Sequence, residues 1–131
     1  MKNFLKLGIL SILAAVVFIG CGVASIYNVS KSPIEVKITE EKVYAAIKRA
    51  GYKKGWLVRQ IKPGLAKATI NLRSHQAVVE IPYTASAFSI NYKSSLNLRH
   101  DSVKGTIHSN YNGWIQNLEQ EINFELDSLL K

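Results

Sequence analysis

Between Leu65 and Tyr92 apolar and polar residues alternate along the chain, interrupted only by short turn signals. Ala66, Ala68, Ile70 and Leu72 fall on one side of the first run, with Lys67, Thr69, Asn71 and Arg73 on the other. Ser74-His75 marks a turn, after which Ala77, Val79, Ile81 and Tyr83 form the next apolar row, with Glu80 and Pro82 opposite. Beyond Thr84–Ala87 the pattern resumes as Phe88, Ile90 and Tyr92, separated by Ser89 and Asn91. Successive side chains of a strand point to opposite faces, so this period predicts an antiparallel meander with one buried and one wet face. A further strand, Trp56–Lys62, precedes it and ends at the turn dipeptide Pro63-Gly64.

A helix is expected on each flank. Thr39 is an N-cap, Glu40 and Glu41 suit the positive end of the helix dipole, and Val43, Ala46, Ile47 and Ala50 make one apolar face closed by Gly51. Ser109 is expected to cap a second helix, whose stripe runs through Tyr111, Trp114, Ile115, Leu118, Ile122, Leu126 and Leu129. Ile34–Ile38 reads as an extended lead-in and Lys93–Gly105 as a polar loop. The predicted fold class is α+β: a two-layer sandwich, a four-stranded antiparallel meander flanked by an N-terminal and a C-terminal helix, α-β-β-β-β-α. The alanines of the Leu65–Arg73 strand argue for close helix packing rather than for a pocket between the layers.

The N-terminus carries Lys2 and Lys6 and then fourteen uncharged residues, Leu7–Gly20, the length of a signal-peptide apolar region. Phe18-Ile19-Gly20-Cys21 resembles the bacterial lipobox, with Phe18 where leucine is usual. The expected organisation is a signal peptide at 1–20, a lipid-anchored tether at 21–32 with lipidation at Cys21, and one domain at 33–131. The alternative is an uncleaved helix drawn from the charge-free stretch Leu7–Ser30, which Lys2 and Lys6 would orient the same way. Either way the domain faces the periplasm of a bacterial envelope. Gly22, not Asp, follows the cysteine and favours the outer membrane.

The formal charge is +8, of which Lys2 and Lys6 supply two, leaving +6 on the mature part. The basic residues are scattered without a run of five and read as a solvated basic surface; the alternative is that the excess charge favours anionic headgroups, acidic envelope polymers or nucleic acid, the last a partner an exported domain would rarely meet. Cys21 is the single cysteine, so the domain has no internal disulfide and relies on packing.

Three stretches carry a family resemblance. Arg73-Ser-His-Gln-Ala-Val-Val-Glu-Ile-Pro-Tyr83, Ser89-Ile-Asn-Tyr-Lys-Ser-Ser-Leu-Asn-Leu98 and Ile107-His-Ser-Asn-Tyr-Asn-Gly-Trp-Ile-Gln-Asn-Leu118 resemble a group of small proteobacterial envelope lipoproteins. The resemblance spans residues 40–122 and is most specific at Ile107–Ile115; Arg99-His100 stands where an aromatic residue is expected. It implies location and domain size but no activity.

Residues able to carry chemistry are few. His75, His100 and His108 fit no zinc spacing, no Gly-x-Ser-x-Gly elbow is present, and the nine acids fall mostly on helix surfaces. No metal and no cofactor is expected. Asn97, Arg99, His100 and Asp101 in the polar loop, with His108, Asn110, Tyr111 and Asn112 opening the second helix, form the candidate binding surface. Donors and positive charge at a helix N-terminus suit a carboxylate or phosphate; the competing reading is a structural cap. The expected function is a non-enzymatic binding or accessory module with an envelope protein partner. Alternatives are a small enzyme using His108 or His100 as a base, and a ligand carrier.

Overall fold

The computed structural model describes residues 22–130. In chain order the elements are β1 (Val23–Ser25), β2 (Val29–Pro33), α1 (Glu40–Lys53), β3 (Trp56–Lys62), β4 (Leu65–Leu72), β5 (His75–Pro82), β6 (Ala87–Leu96), β7 (Thr106–His108) and α2 (Ser109–Asp127), closed by a 3-10 turn, Ser128–Leu130. The class is α+β. Strands β3 to β6 form the expected antiparallel meander, and β2 extends it to a five-stranded sheet in the order β2-β6-β5-β4-β3. A separate small sheet pairs β1 with β7.

The segment expected as a tether is therefore part of the fold from Val23 onward. Val29 pairs with Ile90 and is buried, and Pro33 pairs with Ala87. Its short polar sequence hid this, because an edge strand joins a sheet through its backbone and needs few apolar side chains. Cys21 and the signal segment 1–20 lie outside the described residues.

The apolar rows predicted for the meander face inward. Ala66, Ala68 and Ile70 on β4 and Ala77, Val79 and Ile81 on β5 are buried in one core with Ile47 of α1 and Ile115, Leu118 and Ile122 of α2. The two helices pack on that face, and the alanines lie sealed beneath them. Among the described residues no helix lies over the opposite face, which leaves Leu57, Ile61 and Leu96 more than half exposed beside Arg59 and Lys93.

Helix α1 begins as expected: Thr39 Oγ1 accepts from the Lys42 N–H at 3.3 Å. It does not stop at Gly51 but continues to Lys53, with Gly51 buried inside it. The glycine serves close approach instead, since a Cβ there would run into Val58 Cγ2. Alanine is the better helix former by about 1 kcal/mol, yet Val58 is stiff at χ1 and cannot swing aside. Gly51→Ala is expected to destabilise the protein by about 1–3 kcal/mol, the usual cost of overpacking. A denaturant midpoint equal to the parent's would show that β3 yields freely.

Helix α2 is joined to α1 by ion pairs around Glu125, the one buried charged side chain among the described residues. Its carboxylate accepts from Lys53 Nζ and, at 3.0 Å, from Arg49 Nε. The Lys53 and Arg49 bonds hold its pKa below the usual carboxylate range. Trp114, expected in the core stripe, is only partly buried and borders a groove with Trp56, Ile70 and Leu72. No described helix is long and apolar enough to cross a membrane.

Candidate functional site

The loop after β6 and the start of α2 do meet, because β7 lies between them. The His108 N–H donates to the Leu98 carbonyl at 2.8 Å, and Asp101 bridges to Thr106. Strand β6 reaches Leu96, so the loop is shorter than Lys93–Gly105. Its first residues, Asn97 and Arg99, hold left-handed backbone (φ 60° and 54°), which turns the chain back toward β7.

Most of the candidate residues hold the chain to itself. The Asn97 carbonyl is 2.7 Å from His75 Nδ1, and its side-chain amide donates to Ser74 Oγ at 2.9 Å. This ties the loop to the β4–β5 turn. Asp101 Oδ1 accepts from the N–H groups of Val103 and Lys104 at 2.9 and 3.0 Å, closing a tight turn. Those backbone donors, Lys104 first, draw its pKa below the ordinary value. Asn112 clasps the N-terminal strand: its carbonyl accepts from the Tyr27 N–H and its amide donates to the Ser25 carbonyl, both at 2.9 Å. Tyr27 then hydrogen-bonds Glu119 at 2.6 Å, extending the clasp two turns along α2.

The helix cap is His108, not Ser109. Its Nδ1 accepts from the Asn110 N–H at 3.1 Å, which fixes that nitrogen as unprotonated. The Ser109 N–H donates to the Gly22 carbonyl at 3.0 Å. Two of the free donors that would have greeted an anion are thus occupied within the chain. Tyr111 is fully buried, so it is not part of a surface. Its hydroxyl finds no partner among the described residues, burial pushes its pKa far above the normal range, and its ring meets Tyr92 edge-on at 5.8 Å.

Arg99, His100 and Asn110 remain open to solvent. The His100 ring lies against Tyr92 at 4.5 Å with a 33° tilt. Arg99 reaches back to the first described residue: a Cβ on Gly22 would stand 3.6 Å from its Nη1. Arg73, expected on the wet sheet face, instead sits in the adjoining hairpin turn with φ 56°. Sequence reasoning missed the grouping of Arg73 with Arg99, because the Asn97–Ser74 bond that links their turns spans distant parts of the chain. Among the described residues no three potential metal ligands come together.

Comparison with known proteins returned no matching family model, no matching curated protein and no matching solved structure.

Proposed function

We propose that this chain is an exported lipoprotein of a bacterial envelope, anchored through Cys21 and acting as a non-enzymatic module that binds or supports a protein partner. One observation carries the anchoring. The uncleaved-helix alternative needs the charge-free stretch through Ser30, but Val23–Ser25 and Val29–Pro33 are β-strands of the folded domain. Only the fifteen uncharged residues Leu7–Cys21 are left for a helix, and spanning the hydrocarbon core takes about 20. Fifteen residues ending in a cysteine suit a cleaved signal peptide. The resemblance to envelope lipoproteins adds to this, and Gly22 after the cysteine favours the outer membrane, periplasmic side.

The binding role draws on the sheet's uncovered face. Leu57, Ile61 and Leu96 stand exposed there among polar residues, the composition of a partner-binding surface rather than of a catalytic cleft. His108, one of the two candidates for a base, spends Nδ1 on capping α2.

Intact-mass analysis of the membrane-extracted protein tests the anchoring. The expected result is a chain starting at Cys21 and carrying acyl chains, with Cys21→Ser accumulating as the unprocessed precursor. A full-length chain with an unmodified thiol would overturn it.

A further inference from the structure

The end of the molecule at which α2 begins is also the end from which the chain leads back to Cys21. Gly22 is fixed there by the Ser109 N–H, and Val23 pairs with His108. Strand pairing brings other elements to the same end: Trp56 opposes Ile70, Ile70 opposes Ala77, and Ala77 opposes Ser95. The α1–β3 junction, the β4–β5 turn and the loop after β6 are therefore neighbours of Gly22.

These turns present cations. Arg73 and Arg99 are exposed, and the Arg99 guanidinium lies beside Gly22 itself, while Lys54, also exposed, is paired with Glu121 at 4.0 Å. Asp101 is the acid nearest to them in the loop, and its carboxylate faces the backbone donors of its own turn. Glu35, Glu40, Glu41 and Asp127 belong to the opposite end, where α1 starts and α2 finishes; Glu121 and Glu125 are engaged with Lys53, Lys54 and Arg49 between the helices, Glu119 with the Tyr27 hydroxyl and Glu80 with Lys93. Leu72, 43% exposed, and the partly buried Trp114 edge the cationic end with apolar surface.

We propose that this end of the domain rests on an anionic phospholipid surface, with Arg73 and Arg99 engaging headgroup phosphates. The inference rests on the lipid-anchored reading above. If Cys21 carries the acyl chains, a single residue separates them from Gly22, and one residue spans at most about 3.6 Å. Such a link holds this end, and not the acidic one, at headgroup level. Guanidinium groups match phosphate oxygens in pairs, and each cation held near an anionic leaflet favours the docked orientation by about fivefold. Trp and Leu side chains are at home in the same interfacial layer.

The full-length protein, extracted from membranes and reconstituted into vesicles, provides the test. A fluorophore on Asn110→Cys reports the cationic end and one on Ala85→Cys the opposite end, with the acylated Cys21 sulfur unreactive toward the label. With about one-third phosphatidylglycerol in phosphatidylethanolamine, headgroup-quenching lipid is expected to quench the Asn110 label strongly and the Ala85 label weakly. R73Q/R99Q should cut the near-end quenching several-fold, as should about 0.5 M salt, which shortens screening to a few ångströms. Unchanged label emission in detergent identifies variants that remain folded. Equal quenching at both ends, or near-end quenching identical in neutral vesicles and untouched by R73Q/R99Q, would overturn the proposal. Failure of the protein to float with vesicles at all would instead remove the anchor, and the docked end with it.

Discussion

A chain shortened to begin at Pro33 is expected to be largely unfolded, or to melt far below the chain that begins at Gly22. The sequence pattern places the domain boundary at residue 33, but the structure places Val29 in the core and packs Ile26 and Tyr27 against it. Burial of these three side chains is worth on the order of 4–6 kcal/mol. Their removal also strands Glu119, whose partner is the Tyr27 hydroxyl, and unpairs Asn112 from the Tyr27 and Ser25 backbone. A domain of this size has about 5–15 kcal/mol in total, so the loss rivals the whole. Strand β6 would become a bare edge, a template for aggregation. Guanidinium unfolding of the two chains, followed by circular dichroism, gives the comparison. Equal midpoints would mean that residues 22–32 are a loose tether after all.

The reasons that boundary escaped the sequence pattern are physical. Val23–Pro33 reads Val-Ala-Ser-Ile-Tyr-Asn-Val-Ser-Lys-Ser-Pro, with little alternation. Its pairing with β6 shifts register between Val29 and Ser32, and Lys31 sits at φ 49°, so even a perfect edge strand would lose its period there. The same effect truncated β6. Its pairing with β5 slips between Val78 and Val79, where Tyr92 is followed by Ser94 as the next partner, leaving Lys93 extra. The parity of facing residues reverses there, so Ser95 falls on the side of Tyr92 and accepts or donates a 2.8 Å bond to its hydroxyl. A reader of alternation stops at Tyr92. By contrast β4, β5 and α1 carry unbroken periods, and the structure follows them along their inward faces, except at Leu72, where β4 ends and the side chain is exposed.

The candidate surface was legible as a neighbourhood but not as a set of roles. Loop polarity and the helix start at 108–110 were visible, and the cap lies one residue before Ser109 because an imidazole nitrogen serves as acceptor as a hydroxyl does. The destinations of Asn97 and Asn112 were not visible, since each bonds to a segment far away in sequence. A polar side chain shows its chemistry in a sequence, but not its partner.

Tyr111 offers two substitutions with opposite expected signs. Removing the hydroxyl alone, in Tyr111→Phe, is expected to raise stability by about 1–2 kcal/mol, because a buried group without a partner keeps its desolvation cost and returns nothing. Removing the ring, in Tyr111→Ala, is expected to cost about 3–5 kcal/mol, because the fully buried side chain leaves a cavity beneath α2 and Tyr92 loses its edge-on neighbour. The pH dependence adds a signature. Burial raises the Tyr111 ionisation above its ordinary value of 10.0. Above that pH the unfolded chain releases the proton while the folded chain retains it, so the wild type loses up to about 1.4 kcal/mol per pH unit from this group. The phenylalanine variant lacks this group's loss, and its advantage should widen as pH rises from 10 to 11. Denaturant midpoints of the three proteins at pH 7, 10 and 11 would show it. A phenylalanine variant less stable than the parent, with no widening at high pH, would mean that the hydroxyl holds a hydrogen bond in solution and that the tyrosine is kept for it.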